Sequence, residues 1–176
     1  MLQANNKLDH YFKAMVGFRR DLHRIPEIGY NEHKTQSYLL KKLEVLQNFK
    51  VEKCAGTGVK AVCMLNSEYK TVGFRADMDG LEIQEANDVV YKSCHEGFMH
   101  ACGHDAHTAM LLGVAKVLKG IEKDLCCRVK LLFQPSEEGV KSGSVMMIEN
   151  GVLDDVDIII GQHVTNLLES GVMGVC

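Results

Sequence analysis

Val129-Lys130-Leu131-Leu132-Phe133 runs directly into Gln134-Pro135-Ser136-Glu137-Glu138-Gly139. A short apolar run closed by a proline- and glycine-punctuated turn reads as a buried strand rather than a helix. The pattern recurs on either side. Thr71 to Ala76 leads into Asp77-Met78-Asp79, and Val156 to Ile160 leads into Gly161-Gln162-His163. Val59 to Leu65 is a further run of the same kind. In an open α/β sheet, sites form outside the carboxyl ends of the strands. If these strands are parallel, the three polar clusters converge on one edge.

Helical spacing surrounds these runs. Leu8, Tyr11/Phe12, Met15, Phe18 and Leu22 recur on one face of a first helix that stops near Ile25-Pro26. A second helix is expected after Asn31, a good cap, with Tyr38, Leu39, Leu43 and Leu46 inward. A third runs from about Asp105 to Lys119, and Ser142 to Glu149 suits a fourth that stops at Asn150-Gly151. Ser170 to Cys176 reads as the beginning of another strand. Helices alternating with buried strands imply a three-layer α/β/α domain.

The chain has 176 residues, enough for one domain with a proper core, and is 46% hydrophobic and 24% charged. Its net charge of -3 argues against a nucleic-acid or membrane-surface partner that relies on a basic field. No apolar run approaches membrane-spanning length, and Met1 to Asn6 is polar rather than a charged start leading into an apolar core, so no secretory signal is expected there. The seven cysteines are odd in number and irregular in spacing, which suits a reducing cytosol. Cys63, Cys126 and Cys127 are expected to be small buried hydrophobes.

The chemistry is densest at Met99-His100-Ala101-Cys102-Gly103-His104-Asp105-Ala106-His107, at the start of the third helix. Cys and His are the preferred ligands of zinc and similar borderline metals. Cys102 and His104, two residues apart, can aim at one ion. His100 and His107 are weaker candidates, and for His107 packing or support of a ligand is as natural as ligation. Adjacent carboxylates repel, so Glu137-Glu138 after a buried strand calls for a compensating charge. With a metal present, one carboxylate can bind it while the other takes a proton. Asp77 and Asp79 either orient a histidine or cap a turn. His23, Pro26 and Glu27 read as a helix end and its turn, without a chemical role.

His23-Arg24-Ile25-Pro26-Glu27-Ile28-Gly29, Arg75-Ala76-Asp77-Met78-Asp79-Gly80-Leu81, Met99 to His107, Phe133 to Gly139 and Gly161-Gln162-His163-Val164 resemble successive motifs of the metal-dependent amidohydrolases. That family includes hippurate hydrolase, N-acyl-amino-acid deacylases and auxin-conjugate hydrolases. The resemblance implies a catalytic domain of the zinc-peptidase type and two divalent metal ions, zinc or manganese first, with cobalt or nickel also compatible. It implies Cys102, His104, Glu138 and His163 as metal ligands and Glu137 as general base in the hydrolysis of an N-acyl amino acid. Members of the family continue, after a region like Gly174-Val175, into a lid domain and a C-terminal part with one more histidine ligand. Residues 1–176 therefore correspond to the N-terminal part of the catalytic domain, with no second domain. Asn166 stands where many relatives have a proline.

Three function classes follow. The first is a cytoplasmic amidohydrolase acting on a small N-acyl amino acid, compatible with self-association. The second is a remnant of that family that folds and binds metal without turnover. The third, a thiol redox protein built on Cys102, lacks a nearby resolving cysteine.

Overall fold

The computed structural model describes residues 2–47, 49–63 and 68–175. Its elements follow the order α1 (Leu2–His23), α2 (His33–Glu44), β1 (Phe49–Cys54), β2 (Gly58–Cys63), β3 (Thr71–Asp77), α3 (His104–Ile121), β4 (Arg128–Gln134), α4 (Gly143–Glu149) and β5 (Ile158–Gly161), with one 3-10 turn after α3. The five strands form one sheet in the order β1-β2-β4-β3-β5. β3 is parallel to both β4 and β5, whereas β2 runs antiparallel to β1 and β4.

Alternation along β4 divides the layers. Val129, Leu131 and Phe133 join a core with Leu39 and Leu43 of α2 and Leu111, Leu112 and Ala115 of α3. Leu132 faces the other side, with Met147 of α4 and Val152. Lys130 shares that second face and is buried. Its ammonium donates to the Val152 carbonyl at 3.1 Å and pairs with Asp155. The mixed α/β sandwich expected from the pattern is thus formed, with α1 as an outer helix packed on α3.

Several details differ from the sequence reading. β1 was not anticipated, because Lys50, Glu52 and Lys53 interrupt its apolar residues. It is an edge strand, where charge is tolerated and discourages further pairing. Asn31 does not cap α2. The Glu27 carboxylate does so from outside, accepting the N–H groups of Lys34 at 2.9 Å and Thr35 at 3.0 Å. In α1, Leu22 is buried while Phe12 is 63% exposed, and the Leu8 side chain lies outside the described residues. Met64 and Leu65, expected to extend β2, also lie outside them.

β5 starts at Ile158, since Val156 closes a turn onto Leu153. Its three isoleucines are about half exposed because β5 forms the other sheet edge. Residues 170–175 form a turn and irregular chain rather than a strand, having no partner strand among the described residues, and Cys176 lies outside these. Cys126 is exposed, against expectation, in the turn before β4, whereas Cys63 is buried. No helix among the described residues is long and apolar enough to cross a membrane.

His23, given no role from sequence, closes α1 onto α3. Its Nδ1 lies 2.7 Å from Asp105 and its Nε2 3.0 Å from Glu85, and all three residues are buried. The Asp105 hydrogen bond is the main influence lifting the His23 pKa above 6.5. Burial pushes both carboxyls up. The His23 hydrogen bond on Asp105, and the Ser93 N–H followed by His23 on Glu85, outweigh it and hold both below their ordinary values. Protonated His23 therefore stabilises the fold fully below pH 6.5, and the contribution fades as pH rises through the raised value. The carboxylates contribute above the ordinary carboxylate range and lose that contribution in acid. Urea unfolding in chelator should show stability falling as pH rises above 6.5 through the raised His23 value, with a shallower slope in His23→Gln. An unchanged slope in the variant would assign the decline to other groups.

Candidate metal centre

The parallel strands deliver their polar ends to one edge because they are paired in step. Asp77 lies opposite Gln134, and Arg75 opposite Gly161. Asp79, Glu137-Glu138 and His163 follow each strand within a few residues. α3 begins at the same edge, anchored where Thr108 Oγ1 donates to the Asp77 carbonyl at 2.8 Å. The turn into α3 passes through Gly103 at φ 83, a left-handed conformation that suits glycine. A Cβ on Gly103 would overlap the Val164 side chain, so this glycine also permits the close approach of the segment carrying His163.

His104 is fully buried. Its Nδ1 faces the Asp79 carboxylate at 2.9 Å and the Asp79 carbonyl at 3.0 Å, which makes Nδ1 the protonated nitrogen. Nε2 is buried without a hydrogen-bond partner and points toward Glu137, 3.9 Å away. The other oxygen of Asp79 accepts the Glu138 N–H at 2.9 Å. Asp79 thus performs both tasks between which the sequence left a choice, orienting a histidine and capping a turn.

Cys102 Sγ lies 3.4 Å from His163 Nε2. Donor atoms of Cys102, His104 and His163 lie within 4.8 Å of one another, as do those of His104, Glu137 and Glu138. The four ligands and the base that the resemblance implies, Cys102, His104, Glu138, His163 and Glu137, therefore fall in two groups that share His104. Asp77, His104 and His107 form a third such group, entirely buried. His107 does not stand apart as packing. Its Nε2 accepts the Val164 N–H at 3.0 Å and so fixes the backbone next to His163, and the two rings lie edge to face at 4.4 Å. His100 is buried and belongs to none of the three groups.

The electrostatics are those of a crowded cluster of acidic groups. Burial lifts the Asp77 carboxyl to about 6, against the opposing charge of Arg75, with which it pairs. Burial also opposes ionised Asp79, yet the His104 hydrogen bond and the Glu138 N–H hold its carboxyl below its usual value. The Cys102 thiol is pushed up to about 12 by burial, then by Glu138, Glu137 and Asp77. His107 is lowered to about 4 by burial and the neighbouring histidines. An unpartnered imidazole nitrogen, a thiol, two carboxylates and a second imidazole form the mixed N/S/O set that suits a borderline divalent cation. A cation would also offset the repulsion that these pKa values record.

The solved structure of a dinuclear metal binding peptidase from the M20 family of Bacillus subtilis superposes with a TM-score of 0.83 at 34% identity. That match covers 89% of this chain and 44% of the other. An N-acyl-L-amino acid amidohydrolase of Geobacillus stearothermophilus is 38% identical over 168 residues, 96% of this chain and 45% of its own length. IAA-amino acid hydrolase ILR1-like 4 of Arabidopsis thaliana is 45% identical over 165 residues, 94% of this chain and 37% of its own. The chain thus spans less than half the length of these relatives. Residues 73–176, which hold all the clustered polar residues at the strand ends, match Peptidase family M20/M25/M40, and the chain belongs to that family.

Proposed function

We propose that this chain supplies most of a dinuclear metal site in an amidohydrolase that cleaves N-acyl amino acids of the hippurate or N-acetyl type. The observation that carries this reading is the buried, unpartnered Nε2 of His104, facing a thiol, two carboxylates and an imidazole at the ends of parallel strands. The names of the relatives, an N-acyl-L-amino acid amidohydrolase and an N-acetyl-L-cysteine deacetylase among them, support the substrate class. Cys102, His104, Glu138 and His163 would hold the ions, zinc or manganese in the first place and cobalt or nickel within the same donor preferences.

Divalent ions, when bound, polarise the amide carbonyl and make water a stronger acid. Glu137 has a side chain 39% exposed, 3.9 Å from His104. It would take a proton from the attacking water and return it to the departing nitrogen. The products are a carboxylic acid and an amino acid. Asp79 keeps His104 Nε2 turned toward Glu137 and holds the Glu138 backbone, so one carboxylate orients a histidine and a carboxylate beside Glu137.

A second reading, a metal-binding portion without turnover of its own, is favoured by the open flank beyond β5. There Ile158 to Ile160 and then Leu167, Met173 and Val175 are exposed.

Metal analysis of the purified chain is expected to find a divalent ion, with affinity reduced about tenfold or more in Cys102→Ala and in Glu138→Ala. Unchanged binding in both would remove the site. Hippurate or N-acetyl amino acid cleavage is expected from a chain extended to the length of its relatives, and chelator should abolish it. Glu137→Gln should lower kcat by about a hundredfold or more while metal content is retained. Full activity in that variant would remove Glu137 from the mechanism.

A further inference from the structure

Glu32, the residue just before α2, lies wholly inside the protein. One carboxylate oxygen accepts the backbone N–H of Ser136 at 2.8 Å, and the other accepts a short hydrogen bond from Thr57 Oγ1. No Lys or Arg pairs with it among the described residues. A buried carboxylate without a cation is costly, and a surface turn could have satisfied one N–H with water.

The N–H that Glu32 holds belongs to an unusual residue. Ser136 has φ 47, the left-handed region that non-glycine residues rarely occupy. It is restrained on every side. Its Oγ donates to the Lys141 carbonyl at 3.0 Å, and its own carbonyl accepts Gly143 N–H at 2.9 Å. Gly29 packs so closely that a Cβ there would overlap the Ser136 side chain. The next two residues are Glu137 and Glu138, and the Glu138 N–H is held by Asp79.

We infer that Glu32 is a positioning residue: by fixing the Ser136 N–H in this left-handed turn, it sets the direction in which Glu137 and Glu138 leave β4. It ties the start of α2, the β1–β2 turn and the β4–α4 loop at a single buried point. What the two acids then do rests on the reading proposed above, whereas the geometry of the turn does not.

The test combines amide hydrogen exchange of the metal-free chain with Co²⁺ titration. Glu32→Gln keeps an oxygen for Ser136 N–H and can donate to a rotated Thr57 hydroxyl, so both measurements should stay near wild type. Glu32→Ala should speed exchange at Ser136 and Glu137 and weaken Co²⁺ binding, each by about tenfold, with Leu131 in the strand unchanged. Should that variant fail to fold, Glu32→Asp, one methylene shorter with its carboxyl kept, is expected to show the same two losses. Wild-type exchange at Ser136 in Glu32→Ala or Glu32→Asp would overturn the inference, as would a loss in Glu32→Gln as large as in Glu32→Ala. Absence of Co²⁺ binding in the wild-type chain would sink the metal reading alone, because the exchange measurement still decides the role of Glu32.

Discussion

Parallel pairing of β3 with β4 on one side and β5 on the other, held in step from Thr71↔Arg128 to Asp77↔Gln134, fixes where each strand releases its polar residues. The register is enforced by the core. A slip of one residue would turn Val129, Leu131 and Phe133 away from α2 and α3 and bring Lys130 among them. The site geometry is therefore a consequence of apolar packing many residues away. The strand ends cannot move relative to one another without disrupting the buried layer.

Collecting acidic groups at one edge has an electrostatic cost, and the chain offsets it locally rather than avoiding it. Arg75 pairs with Asp77, His104 with Asp79, and backbone N–H groups satisfy Asp79 and Glu32. Asp77, Glu32 and Cys102 remain shifted in the protonated direction, chiefly by burial. The same principle operates more cheaply away from this edge of the sheet. Glu27 caps α2, and the Asp105–His23–Glu85 bridge ties the long β3–α3 connection to α1.

Much of this was legible in sequence because the signals are local. Short β-branched runs ending in polar turns marked β3 and β4, and helical spacing marked α1 and α3. The clustered Cys and His residues marked the loop into α3. β1 escaped notice because an edge strand carries charges at positions where a buried strand cannot. Glu32 and His23 escaped for a different reason. Their partners, Ser136 and Asp105, are distant in sequence, and nothing about an isolated Glu or His signals that its side chain will be buried.

The sequence by itself determined which residues could do chemistry and that they would lie just after strands or at the start of a helix, since residue type, periodicity and turn composition are properties of adjacent positions. Tertiary structure alone decided that β3, β4 and β5 are parallel neighbours, and that Asp79 serves His104 and Glu138 at once. It also decided that Ser136 adopts a left-handed turn under a buried carboxylate. Those are relations between segments far apart in the chain, set by which apolar faces pack together and which buried polar groups must find a partner.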